Sequence, residues 1–428
     1  MLYALAKQLR RRHDVPPLGA GLRRFGLPAF AAVVGPGLLA GLSDDDPAGI
    51  TTYSIVGARY GYSLLWVLLL SIAALVVFHE LGSRLGLATG LGLVALVRTT
   101  YGPRAAFVVT GTLVIANVGT TCAEFAGVAA GLELAGVSRF LSVPVAAFLV
   151  GFVVLRGSFH RIEHVLLLLA TVFISYIAAG VLAHPSWGAA AHGLVVPRMP
   201  LTRDALIVAT GVVGTTLAPW GLAFIQSYTA DKKLTRRDLT YERIDVISGV
   251  VLTGIIGLFV VIACAATLFA TGKHNINDAR DAAIALKPLA GRAASALFGF
   301  GLVGAALLAA AIVPLSTAYS VSEAFGQECK LDDKFTAAPF FYITFFATLF
   351  IGAGVVVIPG VPLVPVLFVT QVVNAVLLLP LLVALRSLGR DSTVLGELRN
   401  RRVGDALAIG ALAIVTLSIL ALAVAAFL

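Results

Sequence analysis

Three consecutive carboxylates, Asp44, Asp45 and Asp46, interrupt an otherwise apolar run, VGPGLLAGLSDDDPAGITTY, and Pro47 and Gly49 follow them. Acids in so apolar a stretch are costly, so they point to a functional site with a partner for the charge. Proline has no N–H, so Pro47 leaves the Ser43 carbonyl without its helical donor. A second run, GVVGTTLAPWGLAFIQS, repeats the arrangement, and there Pro219 frees the Thr215 carbonyl. In hydrocarbon such groups must be satisfied by protein, by water in a cavity or by an ion. Carboxylate and freed carbonyls make an all-oxygen set suited to a hard cation, and no thioether or imidazole adjoins either break in sequence. Asp46 before Pro47 also reads as an N-cap followed by proline at the first helical position. The two readings are compatible, because the second half of a broken helix needs a cap.

The elements that position these residues are membrane spans. The chain has 428 residues, 59% hydrophobic and 12% charged, about half the charged fraction of a soluble domain. Its mean hydropathy is +0.97. Apolar runs of about 20 residues recur along its length, which excludes a soluble enzyme and predicts one integral membrane domain. Eleven spans are expected, at 29–58, 63–88, 103–131, 138–156, 162–184, 204–229, 246–271, 290–323, 338–358, 362–385 and 404–428. The first long apolar run begins some thirty residues in and contains the acids, unlike a cleavable signal peptide. With the N-terminus in the cytoplasm, 23 of the 31 Lys and Arg lie inside and 8 outside, as the positive-inside rule requires. The same scatter removes a nucleic-acid partner as the meaning of the net charge of +9. Cys122, Cys264 and Cys329 have no metal-ligand spacing and read as small apolar core residues.

Interrupted helices at matching positions of two halves are the sequence pointer to a secondary-transporter site near the bilayer midplane. The expected organisation is a cytoplasmic segment 1–28, a five-helix repeat 29–184, an inverted five-helix repeat 204–385, a cytoplasmic loop 386–403 and an eleventh helix 404–428. No His-x-x-x-His pair, nucleophile elbow or phosphate loop appears, so no catalytic residue, cofactor or enzymatic activity is expected.

At these residues the sequence resembles the Nramp divalent-metal transporters. The resemblance runs from VGPGLLAGL through GSRLGLATG to the basic loop before the last span. It implies an all-α membrane protein with the LeuT-like inverted-repeat fold. The family's Asp-Pro-x-x element matches Asp46-Pro47-Ala48-Gly49, and its Met-Pro-His-Asn falls on Ala218-Pro219-Trp220-Gly221. The family's acidic pair in span 3 falls on Thr121 and Glu124. The metal site implied by the resemblance comprises Asp46, the carbonyls of Ser43 and Thr215, Gly49 at the family's Asn position and Ala218 at its Met position. Without sulfur the set loses its preference for Mn²⁺ and Fe²⁺. Two truncated side chains enlarge it, which suits a largely hydrated Mg²⁺. The pattern looks like the Nramp-related magnesium transporters, a divergent branch. Thr121 and Trp220 replace two of the family's three proton-route residues and do not titrate near neutrality, so uptake is expected to run without proton coupling.

Asp44 and Asp45 read equally as further ligands or as acids facing water in a vestibule. Gln371 and Asn374 fall near a family glutamine that approaches the metal, although the following proline is one residue late. Glu124 reads as a surviving proton-route acid or as a structural one. Thr216, Gln226 and Ser227 read as cavity lining or helix-interior hydrogen bonders. His79, Glu80 and Arg84 read as an interfacial ion-pair cluster, Arg161 and Glu163 as a cytoplasmic pair, and Glu323 as solvated. The expected partners are the divalent ion and membrane lipid, with a bacterial inner membrane as location and a monomer as working unit. Two other readings stay open: a proton-coupled Mn²⁺/Fe²⁺ symporter and an organic-solute symporter. Half-helix N-termini beside three carboxylates argue against an anionic organic substrate.

Overall fold

The computed structural model describes residue 41 and residues 44–156, 171–231, 238–327 and 336–427. These residues are helical or connecting, with no strand among them. Eight helical segments among them are long and apolar enough to cross a membrane, and Arg139–Leu155 is a shorter apolar helix. The expected span at 162–184 is described from 171 on, and residues 29–40 of the first span lie outside the described residues.

In chain order the main helices are α1 (Pro47–Tyr60), α2 (Leu65–Thr89), α3 (Leu93–Tyr101), α4 (Pro103–Glu133) and α5 (Arg139–Leu155). Then come α6 (Ser175–Leu182), α7 (Trp187–Val195), α8 (Arg203–Thr216), α9 (Pro219–Asp231) and α10 (Leu239–Thr267). The remainder are α11 (Ala294–Ala324), α12 (Pro339–Val357), α13 (Leu363–Arg390) and α14 (Arg402–Ala425). Short helical turns join α10 to α11. The connections expected at 89–102 and 185–203 each contain a helix, α3 and α7, that hydropathy does not register because each has only nine residues.

The start signals are local and chemical. Asp46 caps α1 in an extended conformation with Pro47 at the first position, α4 and α12 also open on proline, and Ser138 and Thr202 cap α5 and α8. Gly90 ends α2 at φ 68°, a left-handed conformation that costs glycine little. Non-helical residues stand at 45–46, just before α1 and its leading Pro47, and at 217–218, between α8 and the Pro219 that opens α9.

Packing inverts the soluble pattern. Phe148, Leu149, Ile343 and Phe350 are exposed, whereas Asp44, Asp45, Asp46 and Glu124 are buried. That is the arrangement for a body whose lateral surface meets lipid and whose interior holds the charge. α4 lies at the centre, against α11, α13, α12 and α1, while α1 packs on α10, α13 and α8. The last helix, α14, is the least buried candidate span and lies at the edge on α8, α2 and α13.

Candidate metal site

Asp46 is the hinge of the first break. Its Oδ1 accepts the Gly49 N–H at 2.5 Å, so one carboxylate oxygen caps α1 while the group stays buried between helices. At Gly49 the missing side chain matters. The point a Cβ would occupy lies 3.0 Å from the Asp44 carbonyl oxygen, 3.2 Å from Asp46 Oδ1 and 3.4 Å from Thr215 Oγ1. Oxygens from both broken segments therefore meet around one small opening. The Thr215 hydroxyl is buried with no hydrogen-bond partner, and Pro219 has no N–H to offer the Thr215 carbonyl. Ser43 lies outside the described residues, and Ala218 is buried at the second break.

Glu124 reaches this place because α4 rides on the first break. Gly127, one turn further along α4, sits directly on Pro47, where a Cβ would collide with the proline ring. That approach sets the Glu124 carboxyl beside Asp46, although neither Glu124 oxygen meets hydrogen-bond geometry with a protein group. Thr121 is turned elsewhere: its hydroxyl donates to the Asn117 carbonyl at 2.7 Å and its methyl packs on Gly352 of α12. A residue three positions from Glu124 shares its general face, yet here it belongs to the α4–α12 contact.

The three acids diverge. Among the described residues no three His, Cys, Asp or Glu side chains converge on one point. Asp45 lies beside Thr253 of α10. Asp44 sends its carbonyl to the Gly49 opening and its carboxyl to Gly221, where Oδ1 lies 3.3 Å from the position of an added Cβ. Both are buried, so neither faces open water. Trp220 is fully buried; its carbonyl accepts from Ser316 Oγ at 3.2 Å, and its indole N–H has no protein partner.

Gln371 and Asn374 form a polar bridge. Asn374 Nδ2 donates to Thr120 Oγ1 and to Gln371 Oε1, each at 3.1 Å, tying α13 to α4. The α13 backbone meets α8 at Gly214, where a Cβ would strike the Gln371 carbonyl. The pair thus braces the two helices carrying Glu124 and Thr215. Thr216 donates to the Val212 carbonyl and shares a hydrogen bond with Tyr53. Gln226 donates to the Leu91 carbonyl and Ser227 to Glu323, so these two tie α9 to the connection before α3 and to α11.

Two readings need correction. Glu323 is not solvated: its Oε2 accepts the Ala95 N–H at 3.0 Å and so caps α3, whose own N-cap, Gly92, has no side chain. His79 is not interfacial: it is fully buried on α2, with Nε2 3.5 Å from the Cβ position at Gly221. Glu80 does form ion pairs, with Arg84 at 3.1 Å and Arg243 at 2.7 Å. Arg161 and Glu163 lie outside the described residues. Sequence reading passed over Tyr53 and Gly127. The small-residue register Gly127–Gly131 on α4 was a signal for the second; Tyr53 left none.

The family model described as Natural resistance-associated macrophage protein-like matches residues 37–425. The chain belongs to the Nramp family. Nramp proteins are membrane transporters, not enzymes. Among curated relatives, the divalent metal cation transporter MntH of Granulibacter bethesdensis is 29% identical over 394 residues, covering 89% of this chain and 85% of the relative. Among solved structures, the Eremococcus coleocola manganese transporter aligns with a TM-score of 0.75 at 17% identity, over 96% of this chain and 89% of that one. Mhp1, a nucleobase-cation-symport-1 family transporter, aligns with a TM-score of 0.55 at 16% identity, over 92% and 93%. This Nramp chain therefore has the LeuT-like fold, which a manganese transporter and a nucleobase-cation symporter share.

Proposed function

We propose that this Nramp chain takes up Mg²⁺ as a largely hydrated ion, by alternating access and without proton coupling. The observation that carries the reading is the meeting of a carbonyl, a carboxylate and a hydroxyl oxygen beside Gly49, where no side chain intervenes. Oxygen-only surroundings with one carboxylate suit a hard ion that keeps several of its waters. A sulfur ligand is missing from the second break, where Ala218 stands. The chain has two methionines, Met1 and Met199, and Met199 precedes α8 in the connection from α7. The ion would rest between Asp46 and the carbonyls of Ser43 and Thr215, next to Gly49 and Ala218. Glu124 would hold the Asp46 face, and Gln371 and Asn374 would brace α13. The absence of titratable groups at Thr121 and Trp220 supports passage driven by gradient and voltage alone. A divalent ion crossing the full potential gains about 4.6 kcal/mol per 100 mV, enough for accumulation.

The arrangement that fits this cycle is eleven spans with a cytoplasmic N-terminus, the repeats 29–184 and 204–385 rocking about the breaks, and 404–428 appended. A bacterial inner membrane and a monomeric working unit complete the reading. A second reading, proton-coupled Mn²⁺/Fe²⁺ symport, draws on the divalent metal cation transporters and the manganese transporter that this chain resembles. Proteoliposomes with an internal pH dye separate the two. The first expects Mg²⁺ uptake that grows with inside-negative potential and leaves internal pH unchanged. Acidification that tracks metal entry, or uptake of Mn²⁺ with no response to Mg²⁺, would overturn it.

A further inference from the structure

Beside the Gly49 opening there is a second meeting of ligand-type groups. Asp44 Oδ1 and His79 Nε2 approach one point, 3.3 Å and 3.5 Å from where a side chain on Gly221 would begin. Asp44 is 5% exposed and His79 fully buried. Neither carboxylate oxygen of Asp44 and neither ring nitrogen of His79 has a hydrogen-bond partner. A carboxylate and an imidazole left unsatisfied at the same place imply that something else occupies it in the working protein.

The fold brings them there by small residues. His79, Gly82 and Gly86 follow one face of α2 at helical spacing. A Cβ at Gly82 would meet Ile225 at 3.1 Å, and one at Gly86 would strike the Gln226 carbonyl. This closeness to α9 presses His79 toward Gly221, and Gly221 in turn leaves the space open. Asp44 arrives from the first break, so its carbonyl serves the Gly49 opening while its carboxyl serves this one.

We propose that Asp44 and His79, meeting at Gly221, form a second cation subsite that takes a divalent ion on the α2–α9 side of the breaks. The carboxylate supplies charge and the neutral imidazole a nitrogen donor, a mixed set that favours borderline ions such as Fe²⁺ or Zn²⁺ over Mg²⁺, with Mn²⁺ the weakest binder among the transition ions. It would hold an ion that has left Asp46 and would retain transition metals longer than Mg²⁺. The inference rests on the reading of the chain as a divalent-cation carrier, but not on which ion is the principal cargo.

The test uses the full chain, purified in detergent, with Mn²⁺ as the paramagnetic probe. Electron spin-echo modulation should show ¹⁴N coupling from a directly bound imidazole. That coupling should fall to background in His79→Leu and persist in Asp46→Ala. Gly221→Ala adds only a methyl at the meeting point and should also remove it while the protein stays monodisperse, which covers the case in which His79→Leu fails to fold. Bound Mn²⁺ without ¹⁴N coupling, or coupling unchanged in both the His79 and Gly221 variants, overturns the subsite and leaves the carrier reading standing. No Mn²⁺ or Mg²⁺ bound by the unmodified chain overturns both.

Discussion

Tyr53 on α1 and Thr216 on α8 share a 3.0 Å hydrogen bond between buried hydroxyls. The bond links the helix after the first break to the helix before the second, one residue from Thr215. It makes the spacing between the breaks a property of two side chains as well as of helix packing. Tyr53→Phe keeps the ring and loses the bond. Thr216 retains its bond to the Val212 carbonyl, so the cost should be modest, about 1 kcal/mol. Thermal unfolding in detergent should shift slightly downward, and uptake should change in rate more than in ion preference. A variant that matches the parent in both would deny the link any role.

Asp46 does two jobs, and substitutions separate them. Asp46→Ala removes the cap and the charge, whereas Asp46→Asn keeps an N-cap oxygen. The alanine variant should lose about 1 kcal/mol of stability together with Mg²⁺ uptake, yet remain monodisperse. The asparagine variant should keep its stability and still lose uptake. Robust transport by the asparagine variant would take the Asp46 charge out of the site.

Paired Gly49→Asn and Ala218→Met changes supply the two side chains that the resemblance marks as missing. A Cβ at residue 49 would stand within 3.4 Å of three oxygens, so an asparagine there should enter the opening with small adjustments. Competition uptake should move toward Mn²⁺ by roughly tenfold, about 1.4 kcal/mol. An unchanged Mn²⁺ to Mg²⁺ ratio would place selectivity elsewhere.

Gly127→Ala tests the seat of α4 on Pro47. The added methyl has no room against the proline ring, and forced packing of this kind costs about 1–3 kcal/mol. Gly111, exposed on the same helix with nothing within 4 Å of an added Cβ, is the control position. Gly127→Ala should lower both thermal stability and Mg²⁺ uptake, because Glu124 and Asp46 would be pushed apart. Wild-type values on both measures would contradict the close approach.

Much of this protein is determined by sequence alone. Residence in a bilayer follows from apolar runs that no soluble core could absorb. The freed carbonyls follow from proline, whose missing N–H acts wherever the chain goes, and Asp46 beside Pro47 announces its own cap. Proline alone does not make a break, since Pro144, Pro314 and Pro380 lie inside continuous helices. Family membership follows from the same residues. Tertiary structure decided what depends on direction in space. The triplet of acids reads as one cluster, but an extended break turns successive side chains apart, so Asp44, Asp45 and Asp46 go to Gly221, Thr253 and Gly49. Thr121 and Glu124 read as one face of α4, yet glycines at 127 and 352 seat different neighbours on it and send the two residues to different contacts. His79 shows the limit most plainly. Its sequence neighbours are the charged Glu80 and Arg84, but a histidine's surroundings are set by the helix it is pressed against, and α9 is some 140 residues away in the chain.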